Sequence, residues 1–173
     1  MKVLLLLGAN LGDRAGNLRR AVAAIRRWDG CRVRKLSRIY ETAPVGPSEK
    51  PYLNQAVALD AERTPMGLLI ESKILEAAAG RKPGVRWGAR LLDVDVIACG
   101  GLRVRTAWLA LPHPRVAERA FALAPLADVA GGWKPDGERT VRQLLAELDP
   151  DPKTVRLRSS GQLEGRAGSG HHA

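Results

Sequence analysis

Residues 86–96 read RWGARLLDVDV. In an extended segment successive side chains point to opposite faces, so Leu92, Val94 and Val96 share one face and Asp93 and Asp95 the other. Two carboxylates at that spacing lie about 6–7 Å apart and repel one another. An edge strand with a solvated acidic face would show the same pattern. Three features favour chemistry instead: both acids share a face, the strand is otherwise apolar, and the loop that feeds it, GRKPGVRWGAR, carries Arg81, Lys82, Arg86 and Arg90. A carboxylate pair suits Mg²⁺, which takes a few carboxylates and completes its shell with water and substrate phosphate oxygens. Arginine forks suit the rest of a phosphate chain. Acids for a cation and cations for phosphates, on one segment, point to phosphoryl chemistry on a magnesium nucleotide.

The elements that would position these residues can be read in order. KVLLLL (2–7), closed by Gly8, is too short for a helix and suits a buried strand. GANLGD lacks the Gly-Lys-Ser/Thr ending of a P-loop and the third glycine of a dinucleotide fingerprint. It reads as a turn that brings Asp13 to a helix N-terminus. Leu18, Ala21, Val22 and Ile25 then recur at helical spacing. Residues 31–41 predict a strand with a bulge, 43–51 a Pro/Gly loop, and 52–61 an antiparallel partner strand. Thr64 and Pro65 open a helix over 65–79 that Gly80 stops. The basic loop 80–90 and the strand 92–98 follow. Strand, helix, strand, strand, helix, strand is the ferredoxin-like βαββαβ order, an α+β fold whose antiparallel sheet carries helices on one face. C-terminal helices follow, the last capped by Thr140. The domain is expected to span 1–148, with 149–173 a flexible tail rich in Pro, Gly, Ser and Arg.

At 173 residues the chain supports one domain with a sizeable core. No apolar run approaches the roughly 18 residues of a membrane span, and MKVLLLLGAN lacks a cleavage site for a leader. Cys31 and Cys99 are too few and too far apart for a disulfide framework or a zinc site, so a reducing compartment, the cytoplasm, is expected. The net charge of +10 attracts any polyanion, nucleic acid included. Readers of single strands need aromatic platforms, however, and aromatics are 4% of this chain. His113 stands on a kink between Pro112 and Pro114, which is expected to be exposed. Tyr52 and Phe121, taken singly, read as ordinary core aromatics.

Taken together, GANLGD, YETAPVGP followed by YLNQAV, GRKPGVRWGARLLDVDV and LPHPRVAERAFALAPL resemble the 6-hydroxymethyl-7,8-dihydropterin pyrophosphokinase family. Four motifs match in order across residues 1–148. The resemblance implies the ferredoxin-like fold, ATP as co-substrate and two Mg²⁺ ions on Asp93 and Asp95. It implies that Tyr52 and Phe121 sandwich a pterin ring, that Asn54 and the backbone around Thr42, Pro44 and Val45 read its hydrogen-bonding edge, and that Trp87 closes over it. Glu76, Arg81, Arg86, Arg90, His113 and Arg119 are implied as ATP contacts, Arg81 and Arg90 being catalytic with the acid pair. Pro83, Ala89, Lys73 and Trp108 depart from the family's usual residues, and the metal pair does not.

The expected reaction is pyrophosphoryl transfer in folate biosynthesis: the pterin's hydroxymethyl oxygen attacks the β-phosphorus of ATP and AMP leaves. Small-molecule substrates, no nucleic acid, no membrane and a monomeric state are expected. The alternative from another class is a basic ferredoxin-like nucleic-acid-binding module. An exposed acid pair would repel a nucleic-acid backbone and weighs against it.

Overall fold

The unbroken apolar run of the first strand follows from its position at the centre of the molecule. In the computed structural model, which describes residues 1–44, 50–80 and 90–158, β1 (Lys2–Ala9) has a strand on each side. Val3, Leu5 and Leu7 enter one core with Leu18 and Ile25 of α1 (Arg14–Ile25) and Leu68 of α2 (Pro65–Ala78). Leu4 and Leu6 enter a second core with Leu123 and Leu126 of α3 (Ala120–Ala130) and Val141 and Leu144 of α4 (Val141–Leu148). Odd and even positions of a strand face opposite ways, so the sheet lies between two helical layers. A strand buried on both faces reads as a continuous apolar run, not an alternation. The expectation of helices on one face is corrected by α3 and α4, which cover the other.

β4 (Tyr52–Ala61) runs antiparallel to β1, with Gly8 opposite Asn54. β5 (Asp93–Cys99) pairs with the other side of β1, placing Asp95 opposite Leu6 and Asp93 opposite Gly8. The single bulged strand expected over 31–41 is two strands, β2 (Cys31–Leu36) and β3 (Tyr40–Thr42), both antiparallel to β4. Between them, the Ser37 hydroxyl accepts the Ala56 N–H at 2.8 Å and its carbonyl accepts from Gln55 at 2.9 Å. These bonds hold the chain against β4 where the ladder is interrupted.

A short hairpin, β6 (Val104–Arg105) with β7 (Ala110–Leu111), stands apart from the sheet. β8 (Val155–Leu157) pairs with β3 and completes the strand order β5-β1-β4-β3-β8, with β2 also on β4. This corrects the tail expected from residue 149: residues 155–157 belong to the sheet, while residues 159–173 lie outside the described residues. A three-residue edge strand reading Val-Arg-Leu carries too little pattern to be seen in sequence.

The caps are those the sequence announces. Asp13 accepts the Gly16 N–H at 2.9 Å, Thr64 accepts the Gly67 N–H at 3.1 Å, and Thr140 and Gln143 form a reciprocal capping box. A further polar contact fastens α3 to the turn between β2 and β3. Asp128 takes the Arg38 backbone N–H at 3.1 Å, the Arg38 Nη2 at 2.8 Å and the Tyr40 hydroxyl. The Arg38 hydrogen bond holds the Asp128 carboxyl below the usual carboxylate range, against the opposing effect of burial. A depressed carboxylate stabilises the fold above its unfolded pKa and ceases to do so as pH falls through its folded value. Asp128→Asn is therefore expected to cost about 0.5–1 kcal/mol near pH 7, discounted because the Arg38 side chain is largely exposed. Urea unfolding at stepped pH should show the gap between the two proteins constant above about pH 5 and closing below about pH 4.

Candidate active site

On the face of the sheet that α3 covers lies a cavity of about 310 Å³. Its floor is the C-terminal half of β1, where Leu6 and Gly8 line it. A Cβ on Gly8 would stand 3.3 Å from Asn54 Oδ1, with Tyr52 Cδ1 and Asp93 Cβ at 3.8 and 3.9 Å. Glycine thus keeps the floor low between the two halves of the site. The GANLGD stretch supplies this floor and, through Asp13, a helix cap.

One end of the cavity is ionic. Asp93 and Asp95 of β5 both line it, on the face opposite Val94 and Val96, which enter the core. Arg90 donates to Asp93 at 2.7 Å. The loss of water around Asp95, then the charge of Asp93, pushes the Asp95 carboxyl up to about 6. Arg119, at the entry to α3, and His113 complete this end. Burial, then the charges of Arg119 and Arg115, holds the His113 imidazole below its usual value. His113 is half-buried in the cavity wall, not on the exposed kink expected, and its N–H donates to the Ile97 carbonyl at 2.9 Å.

The donor set fits Mg²⁺. The Asp95 carboxyl is desolvated and lies beside the charge of Asp93, and a divalent cation between the two would relieve that repulsion. Among the described residues no group of three or more His, Cys, Asp or Glu side chains is placed to hold a metal. The remaining ligands would come from water and phosphate oxygens, as Mg²⁺ prefers.

The other end is aromatic and amide. Tyr52 enters from the start of β4 and Phe121 from the first turn of α3, with the Arg119 guanidinium carbon 5.6 Å from the Phe121 ring centre. Asn54, buried between β1 and β3, donates to Thr42 Oγ1 at 2.7 Å. That bond fixes the orientation of the Asn54 amide and the Thr42 hydroxyl, leaving the amide oxygen as an acceptor of known direction. Two rings and an amide–hydroxyl pair suit a flat heterocycle with a hydrogen-bonding edge.

The structure thus brings together Thr42, Tyr52, Asn54, Arg90, Asp93, Asp95, His113, Arg119 and Phe121 around one cavity. Ala43 lines it where Pro44 was expected. Val45, Arg81, Arg86 and Trp87 lie outside the described residues. Glu76, expected as an ATP contact, does not line the cavity among the described residues: it is 1% exposed, and its carboxylate lies against the edge of β5, close enough to Asp95 for its charge to act on that carboxyl. Glu76 Oε1 accepts the Val94 N–H at 2.9 Å and the Lys73 ammonium at 2.8 Å. It braces the backbone midway between the two aspartates. Glu76→Ala removes the acceptor of a buried N–H and should cost about 1–3 kcal/mol in urea unfolding, most of it recovered in Glu76→Gln.

Sequence reasoning missed Asn10. Its side-chain Oδ1 accepts the Arg90 N–H at 2.6 Å, and its own N–H donates to the Arg90 carbonyl at 3.1 Å. Both backbone groups of Arg90 are held from one residue eighty positions away. The nearest signal was a polar residue directly after the apolar strand, which local patterns do not distinguish from a turn residue.

A cavity that joins an acid pair and guanidinium groups to two aromatic rings and an amide suits a phosphotransferase acting on a small molecule. The chain belongs to the 7,8-dihydro-6-hydroxymethylpterin-pyrophosphokinase family, whose sequence profile matches residues 4–131. It is 47% identical over 145 residues to the 2-amino-4-hydroxy-6-hydroxymethyldihydropteridine pyrophosphokinase of Methylorubrum extorquens, covering 83% of this chain and 91% of that one. The enzyme of the same name from Bacillus subtilis is 42% identical over 124 residues, 71% of this chain and 74% of the relative. The fold is similar to that of the bifunctional HPPK-DHPS of Plasmodium falciparum crystallised with pteroate, with a TM-score of 0.66 and 14% identity. The likeness covers 84% of this chain and 42% of that one, so the chain spans under half the length of the bifunctional protein. Among the described residues no helix is long and apolar enough to cross a membrane.

Proposed function

We infer that this enzyme transfers the pyrophosphoryl group of ATP to the hydroxymethyl oxygen of 6-hydroxymethyl-7,8-dihydropterin, giving the pterin diphosphate and AMP in folate biosynthesis. One observation carries the reading: Asp93 and Asp95 open into the same cavity as Tyr52, Asn54 and Phe121. An alcohol attached to a ring clamped at one end would reach the phosphate chain held at the other. The relatives named above support the same substrates.

In this reading Tyr52 and Phe121 stack on the two faces of the pterin, and Asn54 with Thr42 meets its amide edge, so the hydroxymethyl arm points toward β5. Asp93 and Asp95 would hold two Mg²⁺ ions, which supply positive charge across the triphosphate. Arg90 and Arg119 offer fixed guanidinium donors to the phosphate oxygens, and His113 offers a ring N–H. Arg81, Arg86 and Trp87 are assigned to the phosphates and to closure over the ring from the family resemblance. The alcohol oxygen forms a bond to the β-phosphorus, the bond from the β-phosphorus to the bridging oxygen breaks, AMP departs with that oxygen, and the hydroxyl proton is lost to water. Positioning of the two substrates carries most of the rate.

The strand order supports a ferredoxin-like classification. With β2 and β3 counted together as the second strand, the antiparallel order is fourth, first, third, second, as the split βαβ arrangement requires. A monomer acting in the cytoplasm fits the reading. The basic nucleic-acid module gains no support from the site, whose lining includes two carboxylates.

Incubation with Mg-ATP and the pterin alcohol, followed by nucleotide chromatography, tests the function. Equimolar AMP and pterin diphosphate are expected. ADP as the product, or no turnover beside strong salt-dependent binding of random RNA, would overturn it.

A further inference from the structure

The strand that sequence reading placed in a tail touches the site through one carboxylate. Glu41 lies on β3, one residue before Thr42, with its side chain 16% exposed. One of its oxygens, Oε1, is taken by Arg156 of β8, whose Nε donates at 3.1 Å and whose Nη2 also donates. The other, Oε2, accepts from Arg14 Nη2 at 3.1 Å. The second fork nitrogen of Arg14 donates to the Pro51 carbonyl at 2.8 Å. Burial alone would raise the Glu41 carboxyl, and the Arg156 hydrogen bond with the Arg14 charge outweighs it, so the group is held below its usual value.

The ends of this chain of contacts matter. Pro51 immediately precedes Tyr52, and Glu41 immediately precedes Thr42, so the network spans the two stems that residues 45–49 connect. Each stem delivers cavity residues: Thr42 and Ala43 from one, Tyr52 and Asn54 from the other. β8 adds a second tie on the first stem, because the Ala43 N–H donates to the Thr154 carbonyl at 2.8 Å and Thr42 pairs with Val155. The network joins α1, β3, β8 and the start of β4, whereas the acid pair lies on β5, two strands away from β4 across β1.

We propose that Glu41, bracketed by Arg14 and Arg156, is a positioning residue for the pterin, setting the separation of the two stems, and that β8 is an integral splint of the pterin end of the site. This rests on the pterin reading given above. Its consequence is selective: loosening the network widens the ring clamp and leaves the phosphate end unchanged. An ordinary stabilising contact would show no such selectivity.

The test uses steady-state kinetics on the full chain, with wild type first shown to form AMP from the pterin alcohol. Glu41→Gln keeps the length of the side chain and the backbone pairing but loses the charge that two arginines share. KM for the pterin alcohol is expected to rise about ten-fold, the equivalent of one charge-assisted hydrogen bond. KM for ATP and kcat should stay within about two-fold. Arg156, whose side chain is 65% exposed, supplies a second series that leaves the core intact. Arg156→Ala should raise the pterin KM, and Arg156→Lys, which keeps one charged donor, should recover part of the loss. An unchanged pterin KM in both Glu41→Gln and Arg156→Ala would overturn the proposal. So would a parallel decline of kcat and both KM values that tracks the thermal midpoint. Absence of turnover in the wild type would instead defeat the pterin reading, and the proposal with it.

Discussion

Replacing Asp95 by Asn or Ala is expected to lower turnover of the pterin alcohol by at least about 10³-fold, equivalent to about 4 kcal/mol of transition-state stabilisation. Asp93→Ala should do the same. The size follows from what the carboxylates face. Pyrophosphoryl transfer leaves the protein little covalent chemistry to do, so charge neutralisation and alignment of the phosphates account for most of the acceleration. Asp93 and Asp95 form the anionic pair of the cavity, and burial together with the charge of Asp93 raises the Asp95 carboxyl. An amide keeps the shape and removes the charge, so the cation would lose half its anchor. The ring clamp is built on β3, β4 and α3, so the pterin should bind the variants with near wild-type affinity, measured by fluorescence titration. Normal AMP release from either variant would refute the metal assignment.

Arg90→Ala is expected to reduce kcat by about 10²-fold, the scale seen when one preorganised donor to a developing anion is removed. Arg90→Lys should recover only part of it, because an ammonium is a point charge where a guanidinium offers a fork. The variant isolates the side chain cleanly. Asn10 holds the N–H and the carbonyl of residue 90, and neither bond depends on the guanidinium. The backbone of the loop stem should therefore keep its place while the group beside Asp93 disappears. Single-turnover measurement of AMP separates this loss from product release. A variant with wild-type single-turnover rate would place Arg90 in structural service to Asp93 and not in catalysis.

Much of this site was legible because its signals are local. The alternation of β5 put both aspartates on one face, Thr64-Pro65 and Gly80 bounded α2, and the Pro/Gly loop made 52–61 the antiparallel partner of the strand before it. The cavity confirms that same-face placement. What escaped depends on contacts between residues far apart in the chain. The two covered faces of β1 were hidden because a continuous apolar run does not say what lies on either side. The break between β2 and β3 rests on Ser37 bonding to Ala56, nineteen positions away. Asn10 to Arg90, Glu76 to Val94 and Glu41 to Arg156 each join elements that no window of sequence contains. Glu76 adds a role that neither its spacing nor the family resemblance announced: its carboxylate accepts a backbone N–H of β5 and a lysine. Polar residues that serve as braces carry no periodicity, so they are seen only when the partner is known.

If Asp93 and Asp95 gather divalent ions onto ATP in front of the pterin, the number of ions bound must show it. Mn²⁺ replaces Mg²⁺ for electron paramagnetic resonance, and free Mn²⁺ is titrated against the protein with a non-hydrolysable ATP analogue and the pterin alcohol present. Two bound ions per wild-type chain are expected, with at least one lost in Asp95→Asn while the pterin remains bound. A variant that retains both ions at wild-type affinity would show that Asp95 does not hold a metal.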